Sequence, residues 1–301
     1  MSQAKMPEKL RQLTDKVYYL PAWERTDRPA LGVVAGETGC LVVDAGNSGA
    51  HAELLRRECG ALNLPPLRYL AITHWHWDHV FGAATLGLPT LAHRETARRI
   101  GEMASLRWTD EALDGRVRAG AEIAFCAEMM KLELTPGDRE ALVIRQPDAS
   151  FEHRVEVDLD GVTCLVERVG GDHDPGSSVV FVPGEEVLFL GDCLAPDMCR
   201  SPWAYTQAAF LPMADKLLTY PVRRYVRGHG PPVSREELEA RLAALRTIGE
   251  LAHRHRDNRK RIRDRFLEKV GRPMSEDDRA DLDAFLAGLR RPRPPGGAGG
   301  A

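Results

Sequence analysis

Thr73-His74-Trp75-His76-Trp77-Asp78-His79 is the stretch from which the rest of the chain is read, because four side chains able to hold a metal ion fall within six residues. Just before it, Leu67-Arg68-Tyr69-Leu70-Ala71-Ile72 is apolar and rich in β-favouring residues, which predicts a buried strand opening into a loop at its C-terminal end. On extended backbone His74 and His76 project to the same side, and a turn after them aims Asp78 and His79 at a second position nearby. The spacing suits two adjacent metals. In a chain with 10 His in 301 residues, chance would produce three His and one Asp at these offsets on the order of once in a thousand sequences. An apolar core also has little use for three crowded imidazoles, each of which needs a hydrogen-bond partner or loses basicity on burial.

Further donors follow at the ends of predicted strands. His173 lies in Gly170-Gly171-Asp172-His173-Asp174-Pro175-Gly176-Ser177, Asp192 follows Val187-Leu188-Phe189-Leu190-Gly191, and His229 follows Tyr225-Val226-Arg227-Gly228. Earlier, Asp44 closes Cys40-Leu41-Val42-Val43 and precedes Ala45-Gly46. This series resembles the HxHxDH motif and the later motifs of the metallo-β-lactamase superfamily of metallohydrolases, over residues 16–232.

The resemblance implies an α/β fold, the αββα sandwich of two mixed β-sheets flanked by helices. It implies one metal on His74, His76 and His173, a second on Asp78, His79 and His229, and Asp192 bridging them, with Asp78 and Asp192 acting in catalysis. Asp44 would support the metal loop from behind. The donors suit two Zn2+ per chain, with iron or manganese also compatible. A hydroxide shared by the metals would attack the substrate, since coordination brings the pKa of water from 15.7 towards about 7.

Such a site hydrolyses esters, thioesters, lactones or phosphodiesters with little change. Asp192 stands where the β-lactamases of the superfamily have Cys or Ser, which argues against an antibiotic-hydrolysing enzyme. His76 stands where flavodiiron proteins carry Glu. The lactonases have a tyrosine soon after the bridging aspartate, whereas the first here, Tyr205, comes late; the glutathione-binding residues of the glyoxalase II group find no match. The expectation is a dinuclear hydrolase of a small ester, thioester or lactone. The alternatives are a phosphodiesterase or ribonuclease and, from another class, a mononuclear iron dioxygenase or a non-catalytic metal-binding protein. Intact Asp78, His79 and His229 argue against the last two.

Composition sets outer limits. With 43% hydrophobic residues in 33.4 kDa the chain can bury a large core and an appendage. A formal net charge of −3 gives no global attraction to nucleic acid or to an anionic membrane, so a small-molecule substrate is expected, nucleic acid is disfavoured but open, and a homodimer is left open. Met1 to Lys9 lack the apolar core of a secretory signal and no apolar run approaches a membrane span, so a cytoplasmic protein is the default expectation. Six cysteines without CxxC spacing are expected to stay thiols.

The organisation expected along the chain is a catalytic domain over residues 1–232 with a helical insertion over 95–150, a C-terminal helical region over 233–290 that weakly resembles a winged helix, and a disordered tail over 291–301. A helix is expected from His51 to Cys59, ended by Gly60. In the insertion, helices around Ala97 to Met103 and Glu111 to Met130 offer Leu113, Val117, Ile123, Phe125, Met129 and Met130 either to the core or to a lid over the metals. The irregular segment from Cys193 to Tyr205 lies at the mouth of the site, where Trp203 and Tyr205 either meet substrate or anchor the next helix. Cys193 should point away from Asp192 on extended backbone. Ser234 opens a capping box with Glu237, and Arg254, Arg256, Arg259, Lys260, Arg261, Arg263 and Arg265 form a basic cluster read as a solvated face.

Overall fold

The computed structural model describes Met6, residues 9–256 and residues 258–291. The expected tail therefore lies outside the described residues, apart from Arg291. The first sheet takes β1 (Arg11–Gln12), β2 (Val17–Leu20), β3 (Leu31–Ala35), β4 (Cys40–Val43), β5 (Leu67–Ile72), β6 (Thr90–His93) and β7 (Ala149–Phe151) in that spatial order. It begins as an antiparallel meander and turns parallel from β4 onward. The second sheet takes β8 (Arg154–Asp158), β9 (Thr163–Arg168), β10 (Ser178–Val182), β11 (Val187–Gly191), β12 (Arg224–Arg227) and β13 (Val233–Ser234), with only β11 and β12 parallel.

The two-residue period of a strand divides its side chains between two layers. Val33 and Val42 point outward into one apolar cluster, while Val34, Leu41 and Val43 point between the sheets. In β10, Val180 and Val182 meet that same inter-sheet layer, and Val179 and Phe181 face the opposite way. Strands buried on both faces read as near-continuous apolar runs, which is why β4, β10 and β11 are legible in the sequence.

Helices close the two outer faces. α1 (Gly49–Ala61), two short helices α2 (Trp77–Val80) and α3 (Ala83–Leu86), then α4 (Arg94–Met103), α5 (Asp110–Arg118), α6 (Ala124–Glu133) and α7 (Pro136–Glu140) belong with the first sheet. Leu55, Ile100, Leu113 and Met130 are buried there with Leu31 and Leu70. On the second sheet lie α8 (Gln207–Thr219), α9 (Arg235–His255), α10 (Arg259–Val270) and α11 (Glu276–Gly288), packing Phe210, Leu245, Phe266 and Phe285 against Leu188 and Leu190. The architecture is the αββα sandwich.

Several local expectations change. α1 runs through Gly60 rather than ending there: a side chain at Gly60 would meet nothing, and the chain leaves the helix with Asn63 at φ 52°. The single helix expected over Glu111 to Met130 is two, separated at Gly120, whose φ of 69° is left-handed. Ala149–Phe151 pairs with β6 in the first sheet, so the insertion returns as a strand before the β8–β9 hairpin begins. That hairpin turns at Asp160 and Gly161 with φ 57° and 75°, as a tight two-residue turn requires. The C-terminal region has three helices and, among the described residues, no strand after Ser234, so it lacks the β wing of a winged helix. One apolar cluster runs from Val179 through Leu286, so packing continues across residue 232 instead of breaking there.

Candidate metal centre

The candidate donors meet where the ends of the two sheets face each other. His74 follows β5; His76 stands at the N-terminus of α2, a single helical turn that replaces the simple turn expected and carries Asp78 and His79 on its first residues. Asp192 follows β11, His229 follows β12, and His173 sits on the connection from β9 to β10. The seam is tied by backbone: Ser178 N donates to Thr73 O at 2.8 Å, and Ala30 N to Gly228 O at 2.6 Å. Gly191 reaches φ 51°, and a Cβ there would lie 2.5 Å from Thr73 Oγ1.

Two groups result: His74, His76 and His173 in one, Asp78, His79, Asp192 and His229 in the other, each with its donor atoms within 4.8 Å of one another. Asp192 Oδ2 also reaches towards the first group, at 3.7 Å from His173 Nε2 and 3.9 Å from His74 Nε2. In its own group it lies 3.3 Å from His79 Nε2 and 3.4 Å from His229 Nε2. Asp78 Oδ2 is 3.1 Å from each of the same two nitrogens. All seven predicted donors are brought together.

The hydrogen bonds behind the imidazoles assign their tautomers. His173 Nδ1 faces Pro196 O at 3.1 Å and can only donate to it, leaving Nε2 with its lone pair. Thr73 Oγ1 donates to Asp44 Oδ2 at 2.9 Å, so it accepts from His74 Nδ1 at 3.1 Å, leaving His74 Nε2 bare as well. These two bare nitrogens stand 3.1 Å apart, an arrangement that repels unless a cation lies between or beside them. His79 Nδ1 meets Asp44 Oδ2 at 2.8 Å, which turns its buried Nε2 towards Asp78 and Asp192. Asp44, at φ 62°, also accepts from Thr73 N at 2.8 Å and so locks β5 to the donor loop. The residues fit divalent cations with open positions.

Electrostatics divide the groups. Burial, reinforced by the neighbouring imidazoles, holds His74 and His76 well below the usual histidine range, so both are neutral. For His79 and His229 burial pulls the same way, but the surrounding carboxylates outweigh it and raise both well above that range. Asp192 is held well below the usual carboxylate range despite burial, chiefly by His229 and His79. The same carboxylates would favour a divalent cation there.

His76, Asp78, His173, Asp192 and His229 form the floor of one cavity of about 710 Å3. Its walls come from the insertion, through residues such as Met103, Ile123 and Phe125, from the segment after Asp192, through Met198, Cys199 and Trp203, and from α9 and α11, through Leu238, Arg241 and Ala280. The insertion divides its side chains between the core, through Leu113, Met129 and Met130, and the cavity, which Ile123 and Phe125 line. Trp203 is exposed at its rim, whereas Tyr205 is an anchor: it is 2% exposed, its hydroxyl donates to Leu194 O at 2.6 Å, and its ring stacks on Phe285. Cys193 is buried in the apolar cluster under α8 and belongs to neither donor group. His93 caps α4, accepting from Glu95 N. All six cysteines are free thiols.

Sequence reasoning passed over three features. Cys199 Sγ lies 3.5 Å from His76 Nε2. Asp27 Oδ1 lies 3.5 Å from His229 Nδ1, and burial with Asp78 beside it pushes that carboxyl up to about 7. Glu133, at the end of α6, accepts from Thr26, Ser48 and Arg28 and so bolts the insertion to the core beside Asp27. No local pattern marks these residues, because each acts through contacts distant in sequence.

The chain belongs to the metallo-β-lactamase superfamily, a family of hydrolases: the family profile described as "Metallo-beta-lactamase superfamily" matches residues 29–229. Among solved structures it is similar to a metallo-beta-lactamase from Pontibacter korlensis, with 20% identity, a TM-score of 0.56 and coverage of 78% of this chain and 97% of that one. A beta-lactamase domain protein from Burkholderia ambifaria has 17% identity, a TM-score of 0.60 and coverage of 95% and 89%. The sec-alkylsulfatase Pisa1 from Pseudomonas sp. has 16% identity and a TM-score of 0.63; the match takes in 94% of this chain but half of the sulfatase. At these identities the likeness is one of fold. No curated protein matches. Among the described residues no helix is long and apolar enough to cross a membrane.

Proposed function

We propose that this protein is a dinuclear metal-dependent hydrolase of a small ester, thioester or lactone. The observation that carries the reading is Asp192, whose Oδ2 stands within 4 Å of imidazole nitrogens from both donor groups at the floor of a single cavity. His74, His76 and His173 would hold one metal, Asp78, His79 and His229 the other, and Asp192 both, with zinc favoured by the donor set. Metals so held supply Lewis acidity for the substrate carbonyl and lower the pKa of water. The chain's own part is orientation: Asp44, Thr73 and Pro196 O fix three imidazoles with Nε2 turned inward, and the cavity walls position the substrate.

The nuclease alternative would need basic side chains along the substrate path. Of the seven basic residues from Arg254 to Arg265, none lines the cavity, and Arg254, Arg259 and Arg265 are paired with Glu250, Asp283 and Glu268; Arg99, Arg116, Arg227 and Arg241 do line it, of which Arg99 and Arg241 are paired with Glu102 and Asp281. The test is elemental analysis of metal-reconstituted protein together with a panel of thioesters, lactones and single-stranded RNA. Close to two equivalents of metal per chain and turnover of an ester class, lost in Asp192→Ala, is the expected result. One equivalent or none, or metal-dependent cleavage of RNA alone, would overturn it.

A further inference from the structure

The cavity above the donors is not uniform. Among the described residues, large apolar side chains stay exposed at only a few positions, and three of them, Leu106 at 40%, Phe125 at 41% and Trp203 at 44%, line this cavity. They come from three segments: the loop after α4, the first turn of α6, and the stretch after Asp192. Apolar surface held in water at a concave site is unfavourable in proportion to its area, and a ligand chain that covers it recovers that free energy. Behind this rim stand Met103 and Ile123, the first an unbranched thioether that adapts to chains of different shape.

Two arginines of the same lobe lie against aromatic rings. Arg99 stacks on Trp75 at 4.1 Å and donates to Glu102 at 2.9 Å, and Arg116 packs over Trp108 at 4.7 Å and donates to Arg107 O, although its Nε and Nη2 are buried without a hydrogen-bond partner among the described residues. What the lobe presents to an incoming molecule is mainly aromatic and aliphatic surface, continuous with the floor formed by His76 and Asp78.

We propose that this lobe is the subsite for an unbranched alkyl or acyl chain, so that the substrates are esters or thioesters of hydrophobic acids. The proposal rests on the hydrolase reading for its reaction but not for its binding. Each methylene entering such a lobe is expected to raise kcat/KM about threefold until the lobe is filled, the factor that corresponds to burial of one CH2 with incomplete desolvation.

Two measurements separate the possibilities. In the first, kcat/KM is measured for p-nitrophenyl acetate, butyrate, hexanoate and octanoate with the metal-loaded protein; a rise of about tenfold per two carbons is expected, and the rise should flatten in Phe125→Ser and Leu106→Ser. Hydrolysis independent of chain length would overturn the subsite while leaving the hydrolase reading standing. In the second, 1-octanol is titrated against the same protein and its binding is read from tryptophan fluorescence, which needs no turnover. Saturable binding in wild type that weakens at least fivefold in Phe125→Ser supports the subsite even if no ester is hydrolysed, in which case the reaction assignment alone fails. Absence of octanol binding, or binding equal in wild type and both variants, overturns the subsite.

Discussion

Gly228→Ala is a small change aimed at the point where the two donor groups are joined. Gly228 follows β12 and precedes His229; a Cβ built on it would lie 2.0 Å from Asp192 Oδ1, 3.0 Å from Asp192 Cγ and 3.1 Å from His79 Cε1. Ordinary contact begins at about 3.4 Å, so the Asp192 carboxylate must retreat by more than an ångström or the β12 end must move with His229. Either shift displaces a donor of the proposed second metal. A misplacement of about 1 Å at reacting groups lowers rates by roughly a hundredfold, equivalent to about 2.7 kcal/mol of transition-state stabilisation. Overpacking should lower global stability by about 1 to 3 kcal/mol. The expected outcome is a folded protein with metal content below two equivalents and kcat/KM down by about two orders of magnitude, read by elemental analysis, ester hydrolysis and thermal unfolding. Gly60→Ala is the control: its Cβ meets nothing inside α1, so it should keep full metal and gain about 0.5 to 1 kcal/mol from helix propensity. Two equivalents of metal and activity within threefold of wild type in Gly228→Ala would refute the placement of Asp192 between the groups.

Two further outcomes follow. Arg291 pairs with Asp197 and donates to Pro202 O at 3.0 Å, tying the end of α11 to the segment whose Pro196 O holds His173; Arg291→Ala should weaken the first metal about tenfold in a competition titration while changing stability by under about 1 kcal/mol, and unchanged affinity at both sites would count against the tie. Burial raises the Asp172 carboxyl from its ordinary 3.8 to about 6 although Thr206 donates to its Oδ1. Because the folded value is the higher one, the folded state prefers the protonated acid, and that preference is lost as pH rises from about 4 through about 6. Asp172→Asn keeps the acceptor and removes the charge, so it should match wild type near pH 4 and exceed it above pH 7 by up to about 3 kcal/mol in denaturant unfolding; an equal difference at both pH values would refute the cause assigned.

How legible the protein was depended on whether the information was local. β5 and the donors after it are contiguous, and an apolar run followed by closely spaced imidazoles states both the strand and its purpose within thirteen residues, Leu67 to His79. β10 and β11, apolar throughout because both faces are covered, were equally plain. The period-3.6 stripe of α9 gave a helix, but nothing local said that it would share one apolar cluster with β11 and α8. Tyr205 is the instructive residue: an aromatic at the site's mouth reads as a substrate contact, and only the stacked Phe285 and the Leu194 carbonyl, one of them eighty residues away, make it an anchor. The same distance hid Asp27 and Glu133, whose partners lie on other elements.

These long-range contacts explain why the C-terminal helices belong to the site without contributing a donor. Tyr205 N donates to Ala284 O at 3.1 Å, and a Cβ on Gly288 would fall 1.8 Å from Tyr205 O, so α11 lies directly against the backbone of the segment after Asp192. That segment carries Pro196, whose carbonyl sets the tautomer of His173, and Trp203 on the cavity rim. α11 is in turn held to α9 by Asp281, which accepts from Arg241 at 2.5 Å, and by Phe285, whose ring would be 2.9 Å from a Cβ on Gly249. A rigid sandwich fixes His74, Asp192 and His229 through strand ends and His76, Asp78 and His79 through α2, whereas His173 is oriented by a loop that the helical region braces. Sequence change in those helices can therefore alter one donor and one wall of the cavity together while the sheets, and the remaining donors, stay as they are.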